Sequence, residues 1–404
     1  MKNSTALGIA SLGLFINAPL VLAQTYPEAL AAARRNDPIY ATRLAEVQDS
    51  RLQARQAKFS YLPSVGVSYG EADIGNSART AGISVSQPLL DYDKFLAMQQ
   101  ARPLEQKAEQ SARLVDFDLQ QRVLRTMGEI IRNRETLRAL EVQVQSLETQ
   151  TQRAKRMREL GQGTVTEISD FEVRLAIARA NRLTVTNNLR SAERAFTLIT
   201  GIEAIVPSVD ISSMIPKGQI EPVETYISRA RANNPSLEQS RLDLELQELN
   251  LKRSRAEWLP TITAYASYAK TEGFPGQNDD RIGIALSMPV NSNYILNSSR
   301  AAVQLKRARE SARYSSELLE SETRRLHATV QSLKNELTIR EQAIDNAKLA
   351  VEGNLKGYQG GIRSNIDVVT SIQNLADAEV ALVNSRVSLA TSYLDLELLR
   401  AEVR

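Results

Sequence analysis

The 404-residue chain contains no cysteine, a single histidine, a single tryptophan and few aromatic residues of any kind. The missing cysteines exclude a disulfide framework and a thiolate metal site, and no acylated cysteine behind a leader is expected. His327 stands alone in a polar helical stretch; with no second histidine to complete a ligand set, it is expected as a surface or interface residue. No stretch past the N-terminal leader offers the ~18 continuous apolar residues of a membrane-spanning helix. The formal charge of +3 is small for this length, and acids and bases are interspersed, so nucleic acid is not an expected partner. Gly161-Gln162-Gly163 lacks the Lys-Ser/Thr and the preceding strand of a phosphate loop. Carboxylate pairs such as Glu317 and Glu320 recur among arginines, with no sign of an enclosed site that would shift a pKa. Neither catalysis nor a cofactor nor a metal is expected.

Glycine and proline are also nearly missing from Tyr92 to Leu160, where only Gly128 and Pro103 occur. Such a stretch predicts one helix about 100 Å long. Ile130, Leu137, Leu140, Val144, Leu147 and Ala154 fall on three-, four- and seven-residue steps, the seam of helices that wrap around neighbours. Tyr294 to Tyr358 predicts a second helix of similar length. Arg153, Lys155, Arg156 and Arg158 crowd the end of the first, where they either offset the helix dipole or meet another protein.

The N-terminus has the form of a secretory leader: Lys2, an apolar run from Ala6 to Ile16, and small residues before Gln24, giving a signal peptide over 1–23. The remainder repeats itself. Asn36-Asp37-Pro38 returns as Asn233-Asn234-Pro235, Tyr61-Leu62-Pro63 as Trp258-Leu259-Pro260, Gln87-Pro88 as Met288-Pro289, Tyr92 as Tyr294, and Gly161 as Gly361, at separations of 197 to 202 residues. The first repeat is expected over 24–222: helix, hairpin 61–88, long helix 92–160, helix 164–200 and connector 201–222. The second is expected over 223–404, with hairpin 258–289, long helix 294–358 and helix 364–404. The fold class is therefore mostly α with a small β part, a duplicated helix–hairpin–helix–helix unit.

Each hairpin offers two strands of about ten residues, the length of a tilted transmembrane strand. Ile282, Ile284, Leu286 and Met288 alternate with Gly283, Ala285 and Ser287, which suits lipid on one side and a small-residue lumen on the other. Tyr61, Tyr92, Trp258 and Tyr294 stand at the strand ends, where an interfacial aromatic girdle belongs. Four strands cannot close, and open edges are not tolerated in lipid, so a barrel needs several subunits.

Over essentially the whole mature chain this arrangement resembles the TolC family of outer-membrane efflux and secretion channels. The resemblance is most specific at Tyr358, Gly361, Arg363, Asp367 and Val368 and looser at Gly161, Thr166 and Glu167. It implies a homotrimer whose twelve strands form one outer-membrane barrel, continued by a tapering helical tunnel across the periplasm. It also implies a passive exit duct served by a periplasmic adaptor (membrane fusion) protein and an inner-membrane ABC or proton-driven transporter. By the same resemblance Tyr358 and Arg363 would link toward Glu167 to Asp170 and close the periplasmic entrance. Asp367 would contribute a ring of carboxylates there. Gly161, Gln162 and Gly163, with Gly360, Gly361 and Ile362, would form the adaptor-docking turns. Thr370 stands where some members carry a second acid, so no deeper ring is expected, and the chain ends too soon after its last helix for a large C-terminal contribution.

A periplasmic coiled-coil structural or adaptor-like protein with soluble hairpins is the competing class. Cargo stays open between unfolded polypeptide and small toxic compounds.

Overall fold

The computed structural model describes residues 24–73, 77–161, 163–204, 209–216, 218–272, 278–288 and 293–401. The expected leader, Gln162, Pro289 and the tips of both hairpin loops lie outside the described residues. The first half runs β1 (Gln24–Thr25), α1 (Tyr26–Asn36), α2 (Pro38–Lys58), β2 (Ser64–Asp73), β3 (Ser77–Leu90), α3 (Tyr92–Glu159) and α4 (Val165–Thr200). The second half runs β4 (Val209–Asp210), α5 (Val223–Asn233), α6 (Pro235–Ala256), β5 (Thr261–Glu272), β6 (Asn278–Ser287), α7 (Asn293–Gln359) and α8 (Asn365–Arg400).

Two local departures from the sequence pattern have clear causes. The helical stretch before each hairpin is broken in two, because Pro38 and Pro235 lack the N–H that would continue α1 and α5. Asp37 then caps α2, accepting from the Ile39 N–H at 2.9 Å, and Asn234 caps α6, accepting from Ser236 and Leu237. Strand β3 does not stop at Gln87-Pro88 but continues to Leu90, with a register shift between Pro88 and Leu90 against β5. A strand accommodates proline at such an irregularity, where one ladder bond is missing anyway.

Helix α3 is the spine. It packs against α4, α2, α6 and α8, while α7 packs on α8, α6 and α5. Of the predicted seam, Ile130, Val144, Leu147 and Ala154 are buried, and Leu137 and Leu140 are half-buried. The largest cluster joins Leu119, Val123, Leu124, Met127 and Ile130 of α3 to Leu189 and Phe196 of α4 and to Val387, Ala390 and Leu394 of α8. Thus the two repeats share one core midway along the rods. A smaller cluster nearer the turn joins Val144, Leu147 and Ala154 to Ile168, Phe171 and Leu175.

At Gly128, α3 and α8 approach closely: a Cβ there would sit 2.6 Å from Val387 Cγ1. At Gly353 in α7, by contrast, an added Cβ would find nothing within 4 Å. Gly353→Ala is therefore expected to stabilise by about 0.5–1 kcal/mol, the helix-propensity difference. Gly128→Leu is expected to destabilise by about 1–3 kcal/mol through overpacking. Thermal melts of the two variants against the parent protein check both signs.

Candidate functional site

The four hairpin strands form one antiparallel sheet in the order β2-β3-β5-β6. Cross-strand partners share a face, so Val67 with Ile83, Val65 with Val85, and Ala264 with Ile284 line one side. That side is bare: Val67 is 82% exposed, Ile282 92% and Leu286 71%. The other side carries Gly66, Ser68, Ser84, Ser86, Gly283 and Ser287, relieved by Tyr265, whose ring occupies the space left at Gly283. Strands β2 and β6 each have one unpaired edge among the described residues. No helix among them is long and apolar enough to cross a membrane.

The expected girdle residues gather where helices meet strands. Tyr61 donates its hydroxyl to the Leu89 carbonyl at 3.0 Å, and Tyr92 opens α3 with its ring 6.0 Å from Phe95. Trp258 and Tyr294 are also exposed there. Arg253 locks this junction from α6 by gripping both oxygens of Asp93, at 2.8 and 2.9 Å.

At the opposite end of the rods the two turns are built alike. Gly161 and Gly361 both take positive φ, +74° and +73°, which residues with a Cβ rarely adopt. Their N–H groups donate to Arg158 O and Tyr358 O, satisfying carbonyls that the helix ends leave free. Gly163 lies so close to the Arg158 backbone that a Cβ would meet its nitrogen at 2.9 Å. Gly360 and Ile362 complete the second turn, with Ile362 84% exposed. Leu160 and Val165 present a similar exposed apolar tip on the first.

Asp367 is the N3 residue of α8. One of its carboxylate oxygens accepts from the Ser364 N–H at 2.9 Å and from the Ser364 hydroxyl at 2.8 Å, while Ser364 Oγ accepts from the Asp367 N–H. The backbone bond from Ser364 first, then its hydroxyl, holds the Asp367 carboxyl below the usual carboxylate range, with nearby Arg363 adding a little. The cap therefore contributes above the ordinary carboxylate pKa and is lost only as pH falls through the lowered one.

Tyr358 and Arg363 are placed by different means. The Arg363 side chain folds into the notch at Gly357, where a Cβ would stand 2.7 Å from its Cγ. The ring of Tyr358 is met from α3, where the Arg153 guanidinium lies over it, 5.5 Å from the centroid. The Glu167 side chain lies outside the described residues, and Asp170 is exposed on α4. In the sequence Arg153 belongs only to a basic cluster, and nothing in the spacing marks it as a ring partner. Lys155 of that cluster pairs with Glu172 at 2.8 Å, tying α3 to α4. His327 accordingly sits at a packed surface: its Nε2 lies 2.9 Å from the Glu221 carbonyl and its ring stands edge-on to Tyr226.

The sequence profile described as "Outer membrane efflux protein" matches residues 29–202 and again 226–401, once for each half. The outer membrane protein TolC of Vibrio cholerae is 24% identical, over 95% of this chain and 94% of that protein. The alkaline protease secretion protein AprF of Pseudomonas aeruginosa is 22% identical, over 90% of this chain and 82% of that protein. The crystal structure of the outer membrane protein VceC from Vibrio cholerae superposes with a TM-score of 0.76 at 16% identity, covering 93% of this chain and 95% of that one. With its duplicated halves, its bare four-stranded sheet and its paired glycine turns, the chain belongs to the outer membrane efflux protein family.

Proposed function

We propose that the chain is one subunit of a trimeric duct, passive in itself, through which an inner-membrane pump expels cargo across the periplasm and the outer membrane. The observation that carries this reading is the sheet: an apolar face of membrane-spanning height, on the end of rods about 100 Å long, with both edges open. In lipid such edges must be paired, and pairing β6 of one copy with β2 of the next closes a ring. The rods repeat that logic. Helix α4 bears exposed Val173, Ile177 and Leu183, and α7 bears exposed Ile339 and Leu349, two unlike flanks suited to a head-to-tail contact. Twelve strands from three copies fit the family resemblance.

Outer-membrane location and the exit-duct class follow from membership of the family. A soluble coiled-coil protein is not favoured, since it would leave the apolar sheet face in water. The secretion relative points to polypeptide as cargo, and the efflux description to small toxic compounds. An adaptor gripping the glycine turns, and an ABC or proton-driven pump behind it, would decide between them. The full-length protein is expected to extract only in detergent and to size there as three chains; a monomer that stays soluble in buffer would overturn the reading.

The turns form the periplasmic gate in this proposal. Three Asp367 carboxylates around the axis, with Glu167 and Asp170 of the first turn as further contributors, would concentrate cations at a narrow entrance. Tyr358, clamped by Arg153, would keep the second coil against the first, and Arg363 would reach toward the next subunit. In planar-bilayer recordings, Arg153→Ala and Tyr358→Leu are expected to raise conductance, while Tyr358→Phe, which keeps the ring face, leaves it near the parent value. A rise with Tyr358→Phe equal to that with Tyr358→Leu would assign the closure to the hydroxyl instead.

Asp367 needs a separate test because it is also a cap. Asp367→Asn is expected to lower cation preference and block by multivalent cations, together with a stability loss of about 0.5–2 kcal/mol. Selectivity unchanged beside a lowered melting temperature would leave it a cap alone.

A further inference from the structure

The charge of the chain is unevenly placed along the axis from loops to turns. Four twelve-residue windows abut the sheet at its helical end: 51–62, 91–102, 249–260 and 293–304. They hold nine Lys or Arg against three Asp or Glu, although the whole chain carries only +3. The loop end of the same sheet, 70–80 and 270–281, holds three basic against five acidic residues. The acids at the helical end are engaged in structure. Asp91 caps α3 through the Lys94 N–H, Asp93 is held by Arg253, and Glu257 accepts from Asn297. Lys94, Lys252, Arg255 and Arg300 have no hydrogen-bonded or ion-paired side-chain partner among the described residues.

The same junction carries bare apolar groups, on α7 and just past the ends of α2 and α6. Phe59 follows Arg55 by one turn, Trp258 follows Arg255 by three residues, and Arg300 lies between Leu296 and Val303 at four- and three-residue steps; all are exposed. A cation flanked by aromatic or aliphatic side chains, at the level where a membrane-spanning sheet ends, combines the two contacts a phospholipid offers. The acyl–headgroup boundary takes the rings, and the phosphate takes the ammonium or guanidinium.

We infer that this junction is a collar for anionic phospholipid headgroups of the periplasmic leaflet. Lys94, Lys252, Arg255 and Arg300 supply the charge, and Phe59, Tyr92 and Trp258 seat the ring at the boundary. This rests on the outer-membrane reading above and adds a lipid preference to it. The collar enriches its own annulus in anionic lipid and fixes the depth of the barrel, so that the rods begin where the headgroups end.

Trp258 is the only tryptophan in the chain, which makes it a reporter already in place. The full-length protein is reconstituted in phosphatidylcholine vesicles containing either brominated phosphatidylglycerol or brominated phosphatidylcholine at equal mole fraction, and Trp258 quenching is compared. The anionic quencher is expected to act as if enriched about threefold around the protein. That excess should shrink in ~1 M salt, where the screening length falls to ~3 Å. It should vanish in the combined variant Lys94→Gln, Lys252→Gln, Arg255→Gln, Arg300→Gln, and persist in Lys252→Arg with Arg255→Lys, which keeps the charge. Equal quenching by both lipids in the parent protein, or an excess that survives the fourfold variant, would overturn the collar. Quenching by neither lipid would take Trp258 out of the bilayer and defeat the membrane reading itself.

Discussion

A strand that borders lipid must hand every backbone N–H and C=O to a neighbour, since no water is present to take them. Within one chain β3 and β5 meet this demand and β2 and β6 meet it on one side only. Each unsatisfied group in hydrocarbon would cost several kcal/mol, far more than any surface ion pair on the rods supplies. The open edges therefore make the single chain an incomplete object, and the arrangement of everything else is subordinate to completing it. The long helices enter and leave the sheet at one end only, so the rods continue the sheet from that end alone.

The duplication shows how one structural task can be shared out differently. In each repeat a short helix ends beside the last helix, and an asparagine fastens the two. In the first, Asn36 donates to the Thr200 carbonyl at 2.8 Å while its neighbour Asp37 caps α2. In the second, Asn234 performs both tasks, capping α6 and donating to the Leu399 carbonyl at 3.0 Å. Asp37 gains Arg122 as an ion-pair partner in exchange, and its side chain is almost fully buried. A buried carboxylate requires such a partner, whereas the neutral amide of Asn234 does not.

At the tip, the proposed gate would draw on the same atoms as the architecture. The Ser364–Asp367 box starts α8, and Gly357 gives Arg363 its seat. A residue that fixes the helix start is thereby fixed in position itself, which is what the proposed entrance charge would need. The glycine pair at 161 and 361 does the same for the backbone, turning each coil within a few residues.

Much of this was legible in the residues alone because it depends on local or periodic physics. The near-absence of glycine and proline made α3 and α7 long; alternation and strand length identified a membrane-sized sheet; the offset matches exposed the duplication. The ends of α3, α4 and α7 and the start of α8 lie within a residue of the sequence pattern, since Asp91, Ser364 and the turn glycines act on their immediate neighbours, whereas the last helix stops at Arg400 rather than 404. Other features were not legible, because they arise only when distant segments meet. Gly128 reads as a flaw in a helix until Val387 is placed against it. Arg153 reads as dipole compensation until Tyr358, some two hundred residues away, comes under its guanidinium. Sequence determined which elements form and that they form twice, since backbone propensity and hydrophobic period are short-range. Tertiary structure alone decided which side chains face one another across the repeats, since that is set by how rods of nearly equal length pack along their flanks.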